Sequence, residues 1–442
     1  MTFIAGEQHD PATLLAASKL IAELSGREIA ARVRDLVDAN DLWRRQRCVN
    51  LIAAESPTSP MVQALLASEV GTRASGGHIG PISRCFPGMR YIDEIEAICI
   101  ELLKDLFNAG FADQRLMGGM DGCGVAYTSL TAVGDVMMSI PVTAGGDTSG
   151  RPDGPARVRG LRIHDVPFDS SEFAVDLDAF RREAERLLPA LISINQATTL
   201  FPLPVNSMKE IVAPWDGRVY FDAAHQAGLI ASGCYPNPLA EGADLLTGSG
   251  GKTFSGPQSG IIAWNKESLS LPITETIFPV LTGSHQLNRV AALAVAAAEM
   301  RTYGPEYMSY VVANARALAK ALHERGMPVA AAHLGFTQTH QVLVDVRQWG
   351  GGLAVAQQLE RANIMVNKML LPSEMNELGG IRIGTVEVTR YGMDTTTMST
   401  IADLMHRVVV RKESPELVAR DVQELRSAFQ DLRFCFPVPP AS

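Results

Sequence analysis

Along positions 11–48 apolar residues recur every three or four places with charged residues between them, and this spacing predicts helix. The same period runs through "SPMVQALLASEV" and "YIDEIEAICIELLKDLFNA"; the second has its acids early and a lysine late, the polarity a helix dipole favours. From about Gly118 the texture changes. Short apolar runs such as "GDVMMSIPV", "PALISINQ", "GRVYFDAAH", "ADLLTGSG" and "SGIIAWN" alternate with helical stretches such as "VDLDAFRREAERL". This rhythm predicts an α/β fold with a largely parallel sheet flanked by helices. A long helical run, "LNRVAALAVAAAEMRTYGPEYMSYVVANARALAKALHERG", then leads into a stretch that reads as a compact α+β domain. The expected division is a helical arm at 1–48, a large α/β domain at 49–310 and a small α+β domain at 311–442.

Composition narrows the classes. A chain of 442 residues exceeds what one core usually holds, and its charged fraction of 20% is ordinary for a soluble globular protein. The net charge of −9 gives no general attraction to nucleic acid or anionic lipid. Six cysteines without a CxxC pair argue against a zinc site and a disulfide framework, and fit a reducing compartment. No stretch has the length of a membrane span, and the N-terminus lacks the layout of a secretory signal. The expectation is a cytoplasmic protein with no metal.

One lysine stands apart from this background. Lys252 lies in "TGSGGKTFSG", among residues with almost no side chain. A lysine amine becomes chemically useful when it can be neutral, or can form a Schiff base with a carbonyl cofactor. Small neighbours let a planar ring lie close to the backbone. Upstream, Asp222 ends a strand, where α/β sheets present functional groups, and it could keep a pyridinium nitrogen protonated. His225, one turn on, could bear on the same ring. Taken singly these residues also fit a solvated lysine and a helix-capping aspartate; their order on an α/β background favours a cofactor site.

Over roughly positions 50–393 the chain resembles the serine hydroxymethyltransferase family. The resemblance lies in "NLIAAESPTSPMVQALLAS", "RYIDEIEAICIELLKDLFNA", "FDAAHQAGLIASGCYPNPLAEGADLLTGSGGKTFSGPQSGII", "RANIMVNK" and "GIRIGTVEVTRYGM". It implies a fold-type-I pyridoxal phosphate enzyme, with a mostly parallel seven-stranded sheet in the large domain. It also implies a homodimer whose active sites are shared between chains, acting on a small amino-acid substrate. Lys252 falls where the family carries its cofactor lysine, Asp222 at the pyridine-nitrogen partner and His225 beside the ring. Arg382 falls at the substrate carboxylate clamp, where a guanidinium fork fixes orientation as well as charge. Ser249, Gly119 and Met120 fall around the phosphate, Gln196 at the ring hydroxyl, and Thr282 and Gly283 on the turn lent to the partner's phosphate.

The departures from the family pattern sit at the chemistry. Ala54 replaces a serine that binds the carboxylate, although Glu55 persists. Asp147 or Thr148 stands where a histidine stacks on the ring. The loop that supplies a tyrosine and a glutamate is "GTRASGGHIGPISRCFPG", with Phe86 at a tyrosine position. In it His78 is either a new acid–base group or a solvated loop histidine. Retained cofactor groups with altered surroundings imply changed chemistry on an L-amino acid or a bulky, cysteine-type conjugate, as in specialised or antibiotic metabolism. β-Elimination, decarboxylation with deamination and folate-free aldol reactions are the candidates, which span lyase and transferase activities. Glycine/serine hydroxymethyl transfer, threonine transaldolase activity and a non-catalytic paralogue are the alternatives.

Overall fold

The computed structural model describes residues 9–372 and 378–437, so the first eight positions of the expected arm lie outside the described residues. Seven strands form the central sheet: β1 (Phe111–Asp113), β2 (Val136–Ser139), β3 (Arg162–Asp165), β4 (Leu191–Asn195), β5 (Arg218–Asp222), β6 (Leu245–Ser249) and β7 (Gly260–Trp264). Their spatial order is β1-β7-β6-β5-β4-β2-β3. From β6 through β5, β4 and β2 to β3 all pairings are parallel, and β7 alone runs antiparallel to both its neighbours. The reversal follows from chain length. Parallel neighbours need a crossover of a dozen or more residues, and only the segment 250–259 separates β6 from β7.

Both faces of the sheet are covered, which explains the continuous apolar runs in the sequence. Alternate residues go to opposite sides. Val219 and Phe221, Leu246, and Ile261 and Ala263 join one buried cluster, which includes Val290 to Val311 of the long helix. Tyr220, Leu245, Ile262 and Trp264 join the other, together with Cys123, Val125 and Tyr127 of helix α1 (Gly119–Leu130). Burying one side chain the size of Phe221 stabilises the fold by roughly 2–3 kcal/mol.

The long helix α2 (Leu287–Glu324) belongs to two cores: Val311 packs into the first, and Ala315, Leu318 and Leu322 into a third cluster. The latter is built on an antiparallel sheet in the order β8 (Gln341–Asp345), β10 (Gly380–Gly384), β9 (Asn367–Met369). The expected division at 310/311 falls inside α2. Ahead of the sheet, helices Pro11–Glu23 and Gly26–Asp41 leave Leu14, Leu15, Ile21, Val33 and Leu36 exposed. Among the described residues no helix is long and apolar enough to cross a membrane, and no cluster of His, Cys, Asp or Glu is placed to hold a metal ion.

Candidate active site

The strands β4, β5 and β6 end at Asn195, Asp222 and Ser249, with Asn195 paired to Asp222 and Asp222 to Thr247, two residues before Ser249; this is the edge where open α/β sheets bind ligands. Asp222 is buried. Its Oδ1 accepts from the Ala224 N–H at 2.9 Å and its Oδ2 from the Cys123 thiol at 3.4 Å. Burial pushes its pKa up to about 6, against the opposing attraction of Lys252. The same burial lowers the pKa of Lys252, while Asp222 pulls it back up and the charge of Arg382 adds to the lowering. The two groups thus face one another as a carboxylate that resists ionising and an amine that loses its proton more readily than a solvated lysine.

The glycine-rich turn explains why Lys252 has such small neighbours. Between β6 and β7 the chain doubles back, with the Gly250 N–H bonded to Ser259 O at 2.9 Å and the Gly256 N–H to Gly250 O at 2.7 Å. A Cβ on Gly250 would stand 2.6 Å from Pro257 O and 2.2 Å from Ser259 Oγ. Thr253 then ties the turn to the segment after β5. Its hydroxyl donates to His225 O at 2.9 Å and accepts from the Gly228 N–H at 3.0 Å. Lys252 and His225 are therefore held together by backbone contacts within the turn and by the Thr253 hydroxyl across it, next to the strand that ends at Asp222. Gly250→Ala should lower stability by roughly 1–3 kcal/mol, as overpacking does, and thermal or denaturant unfolding beside the parent measures this.

His225 stacks on His340, with ring centroids 5.9 Å apart and planes 15° from parallel. Both are neutral. Burial first, then the charges of Lys252 and Arg382, hold the His225 pKa well below the usual range. Burial first, then Arg382, takes that of His340 down to about 3. His340 Nε2 donates to Ala53 O at 3.2 Å, and His225 Nδ1 is buried without a hydrogen-bond partner among the described residues. Arg382, on β10, is oriented by Asn367 Oδ1, 3.1 Å from its Nε, and by Ala197 O on its Nη1. Burial brings the Arg382 pKa down to about 10, and Asp147 opposes that shift.

Asp147 lies near enough to act electrostatically on Asp222, Lys252 and Arg382 alike. Its Oδ1 also caps the turn containing Thr148, accepting from the Ser149 N–H at 2.8 Å. Gln196 bridges to Gly146 and donates its amide to Ala144 O at 3.1 Å. Gly119 opens α1 against Ser249, a Cβ there coming 3.6 Å from that of Ser249, and Met120 beside it is exposed. The first turn also carries Asp121, whose carboxylate accepts from the Gly118 N–H at 2.9 Å.

The remaining predicted residues fall into two other groups. Loop 75–86 is pinned by Arg84, which pairs with Asp93 and Glu96, and Glu96 in turn meets His285 Nε2 at 2.5 Å. The Ser75 hydroxyl donates to His285 O and the Ser284 hydroxyl donates back to Ser75 O, so Thr282 and Gly283 belong with this loop. His78 stands edge-on to Phe278 at 6.1 Å, its pKa lowered by burial and by Arg115. Phe86 is 44% exposed. Glu55 pairs with Arg44 and accepts from Asn50 at 2.9 Å, and the same Asn50 amide reaches Glu387 at 2.5 Å. Burial pushes the pKa of Glu387 up to about 7. The sequence gives little notice of His340, Cys123 or Asn367; a histidine directly before the alternating run of β8 is the one local sign.

A family model described as serine hydroxymethyltransferase matches residues 28–405. A serine hydroxymethyltransferase from Methanopyrus kandleri is 41% identical over 90% of this chain and 94% of its own length. One from Korarchaeum cryptofilum is 42% identical over 94% and 98% respectively. The fold is also that of L-threonine transaldolase from Pseudomonas fluorescens, at a TM-score of 0.86 and 24% identity over 93% of this chain and 95% of that one. The chain belongs to the serine hydroxymethyltransferase family of fold-type-I pyridoxal phosphate enzymes.

Proposed function

We propose that the protein uses pyridoxal phosphate to break or make a bond at Cα or Cβ of an L-amino acid or a bulky amino-acid conjugate, without tetrahydrofolate. The observation that carries this reading is the convergence of Lys252, Asp222, His225 and Arg382 in one buried space. The residues fit the cofactor: a poised amine, a buried carboxylate lacking a full counter-charge, an orphaned His225 nitrogen and a helix start pressed on Ser249. When bound there, pyridoxal phosphate supplies an electron sink for the bond being broken.

The chain's own residues then divide the work. Asp222 holds the proton on the ring nitrogen, a partner that favours its ionised form. His225 packs on the ring, kept flat by His340. Lys252 would hold the cofactor's carbonyl end, and as a free amine it would carry a proton at the substrate's Cα. Arg382, its plane fixed by Asn367 and Ala197, orients the substrate carboxylate. Gly119, Met120 and Ser249 hold the phosphate through the helix start, with Gln196 near the ring oxygen and Asp147 and Thr148 along the ring. His78, Phe86 and Glu55 are assigned to the substrate end, and Thr282 and Gly283 to the site of a second copy of this chain. The exposed apolar residues of the N-terminal helices support such a homodimer.

Folate-free chemistry is favoured because loop 75–86 turns Arg84 inward onto Glu96 and carries no carboxylate or phenol of its own. A second reading, glycine/serine hydroxymethyl transfer, is supported by relatives of that name at 41–42% identity. The test is a panel of amino acids and cysteine conjugates, followed by visible spectroscopy and product analysis, with and without tetrahydrofolate. Turnover of a larger amino acid without folate is the expected result. A response only to serine or glycine, and only with folate, selects the second reading.

A further inference from the structure

Beneath Asp222 a buried chain of hydrogen bonds ends on its carboxylate. Thr247 Oγ1 and the Tyr220 hydroxyl are 2.6 Å apart, Tyr220 donates to Cys123 Sγ at 3.3 Å, and Cys123 donates to Asp222 Oδ2 at 3.4 Å. A tyrosine has one hydroxyl hydrogen. With that hydrogen on the sulfur, Thr247 must be the donor in the 2.6 Å contact, and the thiol hydrogen is left for Asp222. The donors therefore all point one way. Thr247 and Tyr220 are 0% exposed, Cys123 1% and Asp222 7%, so water cannot replace a lost donor.

The plainer account is packing, since free cysteine is an ordinary core residue. It leaves two things unexplained. A buried tyrosine hydroxyl requires a partner, and here its hydrogen is spent on sulfur. Asp222 has its Oδ1 on the Ala224 N–H, which leaves Oδ2 to the thiol.

We propose that Cys123 is a positioning residue for Asp222, its thiol, polarised by Tyr220 and Thr247, fixing the carboxylate as an anion aimed at the cofactor's ring nitrogen. This rests on the reading that pyridoxal phosphate binds at Lys252. The titratable groups around Asp222 are Lys252 and Asp147 on adjoining loops, Cys123 on α1, Tyr220 on its own strand with Tyr127 edge-on to it, and His225 on the following turn. Of these, Cys123 is the one that donates to the carboxylate through an uncharged side chain.

The experiment compares Cys123→Ala, Cys123→Ser and Tyr220→Phe with the parent protein. Pyridoxal phosphate affinity and the pH midpoint of the visible band are measured on the loaded protein, and the S–H infrared band on the apoprotein. Cys123→Ala should weaken cofactor binding about tenfold, the order expected for a hydrogen bond to a charged group. It should also move the acid midpoint upward, because losing a donor to the anion raises a carboxyl's pKa. Cys123→Ser restores a donor and should return both towards the parent; Tyr220→Phe should shift them less, in the direction of Cys123→Ala. A folded Cys123→Ala with parental affinity and midpoint overturns the proposal. If that variant does not fold, the infrared band decides. In the parent it should lie at the hydrogen-bonded position and return to the free position in Asp222→Ala, and a free-thiol band in the parent sinks the relay. If the parent itself takes up no pyridoxal phosphate, the functional reading fails, and the same infrared comparison still tests the contact.

Discussion

Lys252→Ala is expected to lose turnover by roughly 10³-fold or more, on any substrate the parent accepts, while folding normally. Two roles meet in one side chain: the amine that takes the cofactor's carbonyl carbon and the base that moves a proton at the substrate. Neither is replaced by a neighbour, because the other groups facing the space are Asp222, Asp147, Arg382 and His225. Asp222 is committed to Ala224 and Cys123, and His225 is held neutral by burial. Stability should change little: the attraction to Asp222 is lost, but so are the burial of the ammonium and its repulsion from Arg382, and the hydrogen bonds of the turn do not use its side chain. The turn itself is held by backbone contacts of Gly250 and Gly256 and by the Thr253 hydroxyl. Single-turnover assays with product analysis, beside a thermal melt, measure both halves. Turnover within tenfold of the parent would remove Lys252 from the chemistry; a large fall in melting temperature would make the turn's fold depend on the charge.

The groups that sequence reveals are those whose signal is local. Lys252 is marked by its glycines and Asp222 by ending an apolar run, whereas Arg382 is marked only by the family resemblance of "GIRIGT". Strand and helix alternation likewise follows from period alone, and so does the burial of both sheet faces. What the period does not carry is pairing across distance. Cys123 meets Asp222 across 99 positions, and His340 reaches Ala53 across 287. Neither shows in a window of a dozen residues. The reversal of β7 is set by a short loop, not by its own composition. His78 has the side chain of an acid–base group, yet its surroundings come from Arg115 and Phe278, which no motif joins to it. The expected edge between large and small domains falls within α2 because a helix feeding two cores keeps one uninterrupted period.

Asp222→Asn should make the cofactor-free protein more stable above pH 6 and the enzyme far less active. In the folded chain the carboxyl is shifted from its ordinary 3.8 to about 6, chiefly by burial. Between those pH values the folded state binds a proton that the unfolded state has released, so stability falls as pH rises through the window. Above it the ionised carboxylate costs roughly 3 kcal/mol, at about 1.4 kcal/mol for each tenfold change in proton affinity. Asparagine has the same shape and no charge, so it should recover most of that cost at pH 8 and almost none below pH 4, where aspartate is neutral too. Part of the gain is offset because Lys252 loses its counter-charge, although an amine already displaced towards neutrality can shed its proton. With pyridoxal phosphate the gap should close. At a hundred times its dissociation constant a ligand stabilises by about 2.7 kcal/mol, and the variant, lacking an anion for the ring nitrogen, should gain much less. Unfolding of both proteins at pH 4 and pH 8, with and without the cofactor, gives all the comparisons needed. A variant that is no more stable than the parent at pH 8 without cofactor would mean that Asp222 is already ionised at little cost, with Lys252 as a full counter-ion. One that gains as much as the parent from pyridoxal phosphate would mean that the ring nitrogen does not depend on this carboxylate.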